Sequence, residues 1–201
     1  MERLKKYFSS GKYVSLYSLD ETDIENTSWF DWFNDEKVCL FLQKHYKPNT
    51  KSDQIDFFKS IKNSKNDIIF GLVDTNNKLK GVCGIHEINY INRNCSISLV
   101  IGEKTDNNDF ALEATHLILN HIFLTLNLNK VKMGNLKGLR SWFFKLNEAF
   151  CFEKEGILKK EVFKNGIYSD VIISALFKED YISQMKLGKL DFIVINKFKY
   201  L

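Results

Sequence analysis

The chain has 201 residues, of which 44% are apolar and 27% charged, with one proline, Pro48. That length and mixture fit a single domain, 1–201, able to bury its own core, and they exclude a long disordered chain. A net charge of +4, shared among 29 basic and 25 acidic residues, lacks the concentrated stripe of a nucleic-acid binder.

Cys39, Cys83, Cys95 and Cys151 form no CxxC and no Cys/His cluster. No metal site is therefore expected. Three of the four sit in apolar segments, as buried free thiols do. No leader-like start and no apolar run of ~18 residues is seen, so a soluble, cytoplasmic protein without membrane insertion is expected.

The elements follow in chain order. Tyr13 to Leu19 alternates like a strand. Asp20 then stands as a helix N-cap with Asp23 three residues on, and Trp29, Trp32 and Phe33 recur at helical spacing. A second amphipathic helix carries Ile55, Phe58 and Ile61 on one face, with Ser52 or Asp53 as its cap. Three strands, "DIIFGLVD", "LKGVCGIHEI" and "CSISLVIG", make a meander with Asn-rich turns. The clearest helix starts near Phe110, with Leu112, Thr115, Leu119, Ile122 and Phe123 on one broad face. A short strand "NKVKMG", a helix "LRSWFFKLNEAF" and a hairpin turning at Asn165-Gly166 follow. Residues 182–201 read as an extra apolar tail beyond a core of about 13–181. The layout is α+β, a mostly antiparallel sheet with helices on both faces.

With that order in view, four passages carry a resemblance. "WFNDEKVCLFL", "KLKGVCGIHEINYINRNCSISLVIGEK", "FALEATHLILNHIF" and "FEKEGILKKEVFKNGIYSDVIISALFKED" resemble segments of the GCN5-related N-acetyltransferase (GNAT) superfamily. The likeness is nearest its ribosomal-protein-alanine and aminosugar branch. It implies a sheet with a V-shaped splay between the strand ending at Ile101 and the one near Val131. It implies acetyl-CoA, or a related acyl-CoA, as co-substrate and acyl transfer to an amine. Leu99, Val100, Ile101 and Asn135 would meet the pantetheine arm. Lys104, Asn107, Asn108, Asp109, Phe110 and Ala111 would meet the pyrophosphate, where free N–H groups and a helix dipole favour an anion.

This chain departs from the family pattern in that loop. Only the last small residue, Ala111, is kept, and Asp106 and Asp109 add negative charge. Backbone N–H groups can still form the cradle if Asp109 or Asn108 caps the helix, with Lys104 and Lys137 compensating. The alternative is a fold that has lost the donor, and a third reading moves the cradle to Gly102.

Amine acylation needs a base, a polarised carbonyl and an acid for the departing thiolate. Ser96 stands where relatives carry a strand glutamate, Asn147 where they carry the leaving-group tyrosine, and Cys151 where they carry a glycine. His86, Glu87 and Tyr168 are therefore the candidate catalytic residues. Regular alternation turns only one of His86 and Glu87 to the cleft. A main-chain N–H near Val100 is expected to polarise the carbonyl. On the acceptor side, Trp32, Asn34, His45 and Tyr46 are the candidate substrate contacts, with Trp32 or Tyr46 stacking on a nucleobase. His116 and His121, five apart on one helix, are not read as a metal pair. The acceptor expected is the amine of a nucleotide-linked amino sugar of surface-glycan synthesis. A protein N-terminal amine or a non-catalytic interaction module are the alternatives, with the tail adding a strand to a partner, packing on its own domain or closing a homodimer.

Overall fold

The computed structural model describes residues 7–40, 42, 47–138 and 140–188, with the backbone alone for 140–143. His45, Tyr46 and the tail from 189 onward lie outside the described residues.

Among the described residues, eight strands form one sheet: β1 (Tyr7–Ser10), β2 (Ser15–Tyr17), β3 (Ile68–Val73), β4 (Leu79–Asn89), β5 (Asn94–Ile101), β6 (Lys130–Leu136), β7 (Glu153–Lys164) and β8 (Ile167–Phe177). Their order is β1-β2-β3-β4-β5-β6-β8-β7. Every neighbouring pair is antiparallel except β5 and β6, which run parallel. The α+β expectation holds, and the meander and the closing hairpin fall where the sequence placed them. Asn165 and Gly166 take φ of 50° and 79°, the paired positive values a two-residue hairpin turn requires.

The helices are α1 (Glu21–Asn26), α2 (Trp29–Trp32), α3 (Glu36–Cys39), α4 (Lys51–Asn63), α5 (Phe110–Asn120), α6 (Arg140–Phe150) and α7 (Lys178–Lys186). Asp20 caps α1 in a full capping box with Asp23, as expected. The cap of α4 is Thr50, not Ser52 or Asp53; Asp53 is its reciprocal partner, so the box starts two residues earlier. Neither β1 nor α7 was anticipated: each is short and gains its stability by packing on neighbours.

The two faces of the sheet bury different clusters. Ile24, Trp29, Trp32 and Phe58, from α1, α2 and α4, pack with Val73 and Val82 on one face. Leu117, Ile118 and Phe150, from α5 and α6, pack with Cys83, Ile85 and Cys95 on the other. The expectation of one apolar face for α5 is too narrow. All of α5 except Ala111 is buried, because the ring of Tyr181 on α7 stacks against His116 and against Phe123 on the side away from the sheet. Among the polar side chains enclosed in this way, Glu113, Thr115 and His116 are hydrogen-bonded. The helix runs on into a π-helical turn, His121–Thr125.

Glu113 ties α5 to the sheet. Its buried carboxylate accepts from the main-chain N–H of Lys12 (2.5 Å), Tyr13 (2.7 Å) and Val14 (3.0 Å). Gly11 is required beside it, since a Cβ there would come within 2.4 Å of the carboxylate carbon. This clamp sets α5, and hence the loop before it, against the edge of β2. No described helix is long and apolar enough to cross a membrane.

Candidate active site

Strands β5 and β6 pair over three positions, Asn94↔Lys130, Cys95↔Val131 and Ser96↔Lys132, and then part. Beyond that point β5 stays paired with β4 up to Ile101, and β6 with β8 up to Leu136. Ile97–Ile101 and Met133–Leu136 therefore diverge as the two arms of a V. A cleft of about 1240 Å³ runs through the opening and reaches both faces of the sheet.

The register decides which peptide groups face the gap. Gly102 N–H bonds Lys80 C=O at 2.9 Å. Even-numbered residues of β5 therefore bond β4, and odd-numbered ones point their N–H and C=O away from it. Leu99 thus presents both peptide groups to the V and Ile101 its N–H. Val100, expected among them, has its peptide groups turned to Val82 and offers the gap only its side chain. Across the V, the Asn135 side-chain nitrogen is buried without a hydrogen-bond partner. A slot with free peptide groups and an unpaired amide suits an extended amide-bearing arm.

The loop after β5 leads to the start of α5. Asp109 occupies the N-cap position, but its side chain makes no capping bond, contrary to expectation. Instead the Asn107 side chain accepts from Asp109 N–H at 2.6 Å. The first turn of α5 is thus left without a side-chain cap, its positive end open. Lys104, in the same loop, is exposed. Lys137 is elsewhere, paired with Asp170 at 3.8 Å.

On the other face lie the titratable groups. The register Ile68↔Ile85 makes Asp67 the cross-strand neighbour of His86. Asp67 Oδ1 meets His86 Nδ1 at 3.1 Å, and His86 Nε2 meets Ser98 Oγ at 2.8 Å. Burial acts to raise the Asp67 carboxyl, but hydrogen bonds from Ser64, His86 and the Glu87 N–H outweigh it and hold the group below its ordinary range.

Glu87 departs from the expected alternation. It takes φ of +53°, and the β4–β5 register shifts between His86 and Asn89. This bulge gives Ile88 the core position that alternation assigns to residue 87; Ile88 is 3% exposed. Glu87 is turned to the cleft with His86, and Ser96 Oγ donates to its Oε2 at 3.1 Å. A carboxylate thus stands beside the Ser96 position, supplied by the neighbouring strand.

Several other candidates are corrected. Tyr168 is 61% exposed at the hairpin tip, against the ring of Phe163, away from the cleft. Trp32 is 3% exposed, with its ring packed on Gly102 and its N–H donated to Glu103 Oε1 at 3.2 Å, so no base can stack on it. Asn34 exchanges two 2.7 Å bonds with the backbone of Asn49, which ties the loop before α4 and occupies the amide. Asn147 donates to Phe152 C=O at 2.8 Å and acts structurally. The residues not foreseen are Asp67, Ser98 and Trp29 in the cleft wall, and Gly84 beneath His86. Only Asp67 had a readable signal, its place one residue before a strand paired with that of His86. Among the described residues, no three His, Cys, Asp or Glu side chains group to hold a metal.

The family match decides what this architecture is. Residues 14–136, from the strand before α1 to the far arm of the V, match the family model described as Acetyltransferase (GNAT) domain. The chain belongs to the GNAT family. A relative, spermidine N(1)-acetyltransferase of Vibrio cholerae serotype O1, is 30% identical over 119 residues, covering 57% of this GNAT chain and 66% of the relative, just under two thirds of its length. The SPbeta prophage-derived uncharacterized N-acetyltransferase YokL of Bacillus subtilis is 24% identical over 172 residues, covering 86% of the chain and 94% of YokL. The crystal structure of a Vibrio cholerae spermidine N-acetyltransferase with CoA and spermine superposes with a TM-score of 0.75 at 22% identity, over 84% of this chain and 98% of that one. At that identity the likeness is one of fold. The named acceptors are polyamines, so the aminosugar branch inferred for this GNAT protein has no support among them.

Proposed function

We propose that this chain is an acyl-CoA-dependent N-acetyltransferase whose acceptor is a small cationic amine with an apolar or polyamine stem. The observation that carries the reading is the β5–β6 splay, with unpaired peptide groups at Leu99 and an unpaired amide at Asn135. The pantetheine arm would lie along Leu99 and Asn135, and the pyrophosphate at the uncapped start of α5.

The acceptor face combines apolar walls, including Phe33, Val38 and Phe57, with the carboxylates of Asp67 and Glu87. Such walls attract a cationic amine and offer little to a diphosphate, whose only lysines near the cleft are Lys37 and Lys132 among the described residues. The relatives named as spermidine acetyltransferases support this choice over the sugar nucleotide. Glu87 takes the amine proton, in the place of a strand glutamate at 96. The Leu99 N–H polarises the carbonyl, and approximation in the V supplies much of the remaining rate.

Calorimetry with CoA, followed by thiol release from acetyl-CoA with spermidine, a peptide N-terminus and a nucleotide-linked 4-amino sugar, tests this. The expected result is CoA binding and turnover with the polyamine. Binding with turnover only on the peptide or the sugar overturns the acceptor; no CoA binding overturns the donor.

A further inference from the structure

The proton path through Glu87 leaves one arrangement unused. Asp67, one residue before β3, His86 on β4 and Ser98 on β5 form a carboxylate–imidazole–hydroxyl line, with contacts of 3.1 Å and 2.8 Å. Asp67 is itself fixed by Ser64 Oγ at 2.6 Å. The imidazole lies over Gly84, the residue opposite Ser98 in the ladder. A Cβ at position 84 would come within 2.3 Å of His86 Nε2 and 3.0 Å of Ser98 Oγ, so a side chain there is incompatible with the ring in this place. Ser98 is exposed in the cleft at the start of the splay, and the next residue, Leu99, carries the free N–H. A nucleophile followed directly by an oxyanion donor is a working geometry for acyl transfer.

We propose that Ser98 is a nucleophile that takes the acyl group from the thioester, giving the protein an acyl-CoA hydrolase activity when no amine is present. This rests on the donor reading above. Ser98 Oγ bonds to the acyl carbon as its proton passes to His86 Nε2. The C–S bond breaks, and the same proton leaves from Nε2 with the sulfur as free thiol. Asp67 steadies the imidazolium in between. Water, deprotonated by the neutral Nε2, then cleaves the ester to a carboxylic acid and restores Ser98, while an amine, when present, attacks the thioester directly with Glu87 as its base. The departing sulfur thereby obtains an acid, which Asn147, bound to Phe152, does not provide.

The test is thiol release from acetyl-CoA without amine, with intact-protein mass after acid quenching and CoA affinity by calorimetry. The wild-type protein should release thiol and carry an adduct of one acetyl group at Ser98. Ser98→Ala should lower release by ~10²-fold or more while CoA still binds. Gly84→Ala keeps all three side chains, displaces the imidazole, and should do the same. Wild-type protein that binds CoA and acetylates an amine, but shows no adduct and an unchanged hydrolysis rate in Ser98→Ala, overturns this inference and leaves the transferase reading standing. Absence of CoA binding in the wild type overturns both.

Discussion

Asn135→Leu is expected to make the protein more stable and a weaker binder of its donor. The Asn135 side-chain nitrogen is buried in the V without a partner. An unsatisfied buried donor costs about 1–3 kcal/mol, a cost carried by the free protein until a ligand accepts the bond. Leucine is close in volume and removes the unpaired group, so the free protein should gain about 1–2 kcal/mol. For a domain of this size that is a rise of roughly 2–8 °C in Tm. The lost hydrogen bond to the pantetheine arm, at about 1 kcal/mol, should weaken CoA binding by roughly fivefold to tenfold. Differential scanning fluorimetry of the free protein and calorimetry with CoA read the two effects. Asn135→Ala, which removes the amide without adding bulk, separates loss of the bond from crowding of the slot. A variant that is less stable than wild type and binds CoA equally well would refute the reasoning, because the amide would then be satisfied by the protein and have no part in the donor slot.

Three further perturbations test the frame around the site. Glu113→Gln replaces an acceptor of three main-chain N–H groups with a side chain that brings a donor among them, and should cost about 3 kcal/mol, with faster amide exchange at Lys12–Val14 than in the wild type. His116 is buried against Tyr181, and burial pushes its pKa from 6.5 down to about 4. The unfolded chain therefore binds a proton below pH 6.5 that the folded chain refuses; the contribution of His116 is whole above pH 6.5 and is lost as the pH falls toward about 4. That shift is worth about 3 kcal/mol, and urea midpoints measured from pH 7 to 4 should fall less steeply in His116→Gln than in wild type. Cys151 closes α6 with φ of +62°, where a side chain is strained, so Cys151→Gly should leave stability unchanged or raise it by up to about 1 kcal/mol, and a clear loss in a thermal melt would contradict this.

What was legible in the sequence was local. The Asn165-Gly166 turn, the capping box of α1 and the three meander strands depend on neighbouring residues alone, and all of them appear in the fold. What depended on tertiary partners was misread. The burial of α5 all round needed α7, which packs through Tyr181. The helical spacing of Trp29 and Trp32 fits their burial, and that burial removes Trp32 from any ligand. Asn34 and Trp32 are expected at the substrate because their segment resembles that of the aminosugar acetyltransferases; each is already occupied, by Asn49 and by Glu103.

Glu87 shows the limit most clearly. Period-two alternation sends residue 87 to the core face, and a charged side chain there would be costly to bury. The chain avoids that cost with a bulge: Glu87 adopts a left-handed conformation, at about 1 kcal/mol or more of strain, and Ile88 fills the core in its stead. Complete burial of an isoleucine side chain contributes about 1.5–3 kcal/mol, enough to offset the strain. The same local rearrangement puts the carboxylate next to Ser96, where the linear comparison found the family glutamate missing. In the proposed mechanism, the carboxylate that one strand lacks is supplied by its neighbour. Only the register of β4 against β5, a long-range property, connects the two positions.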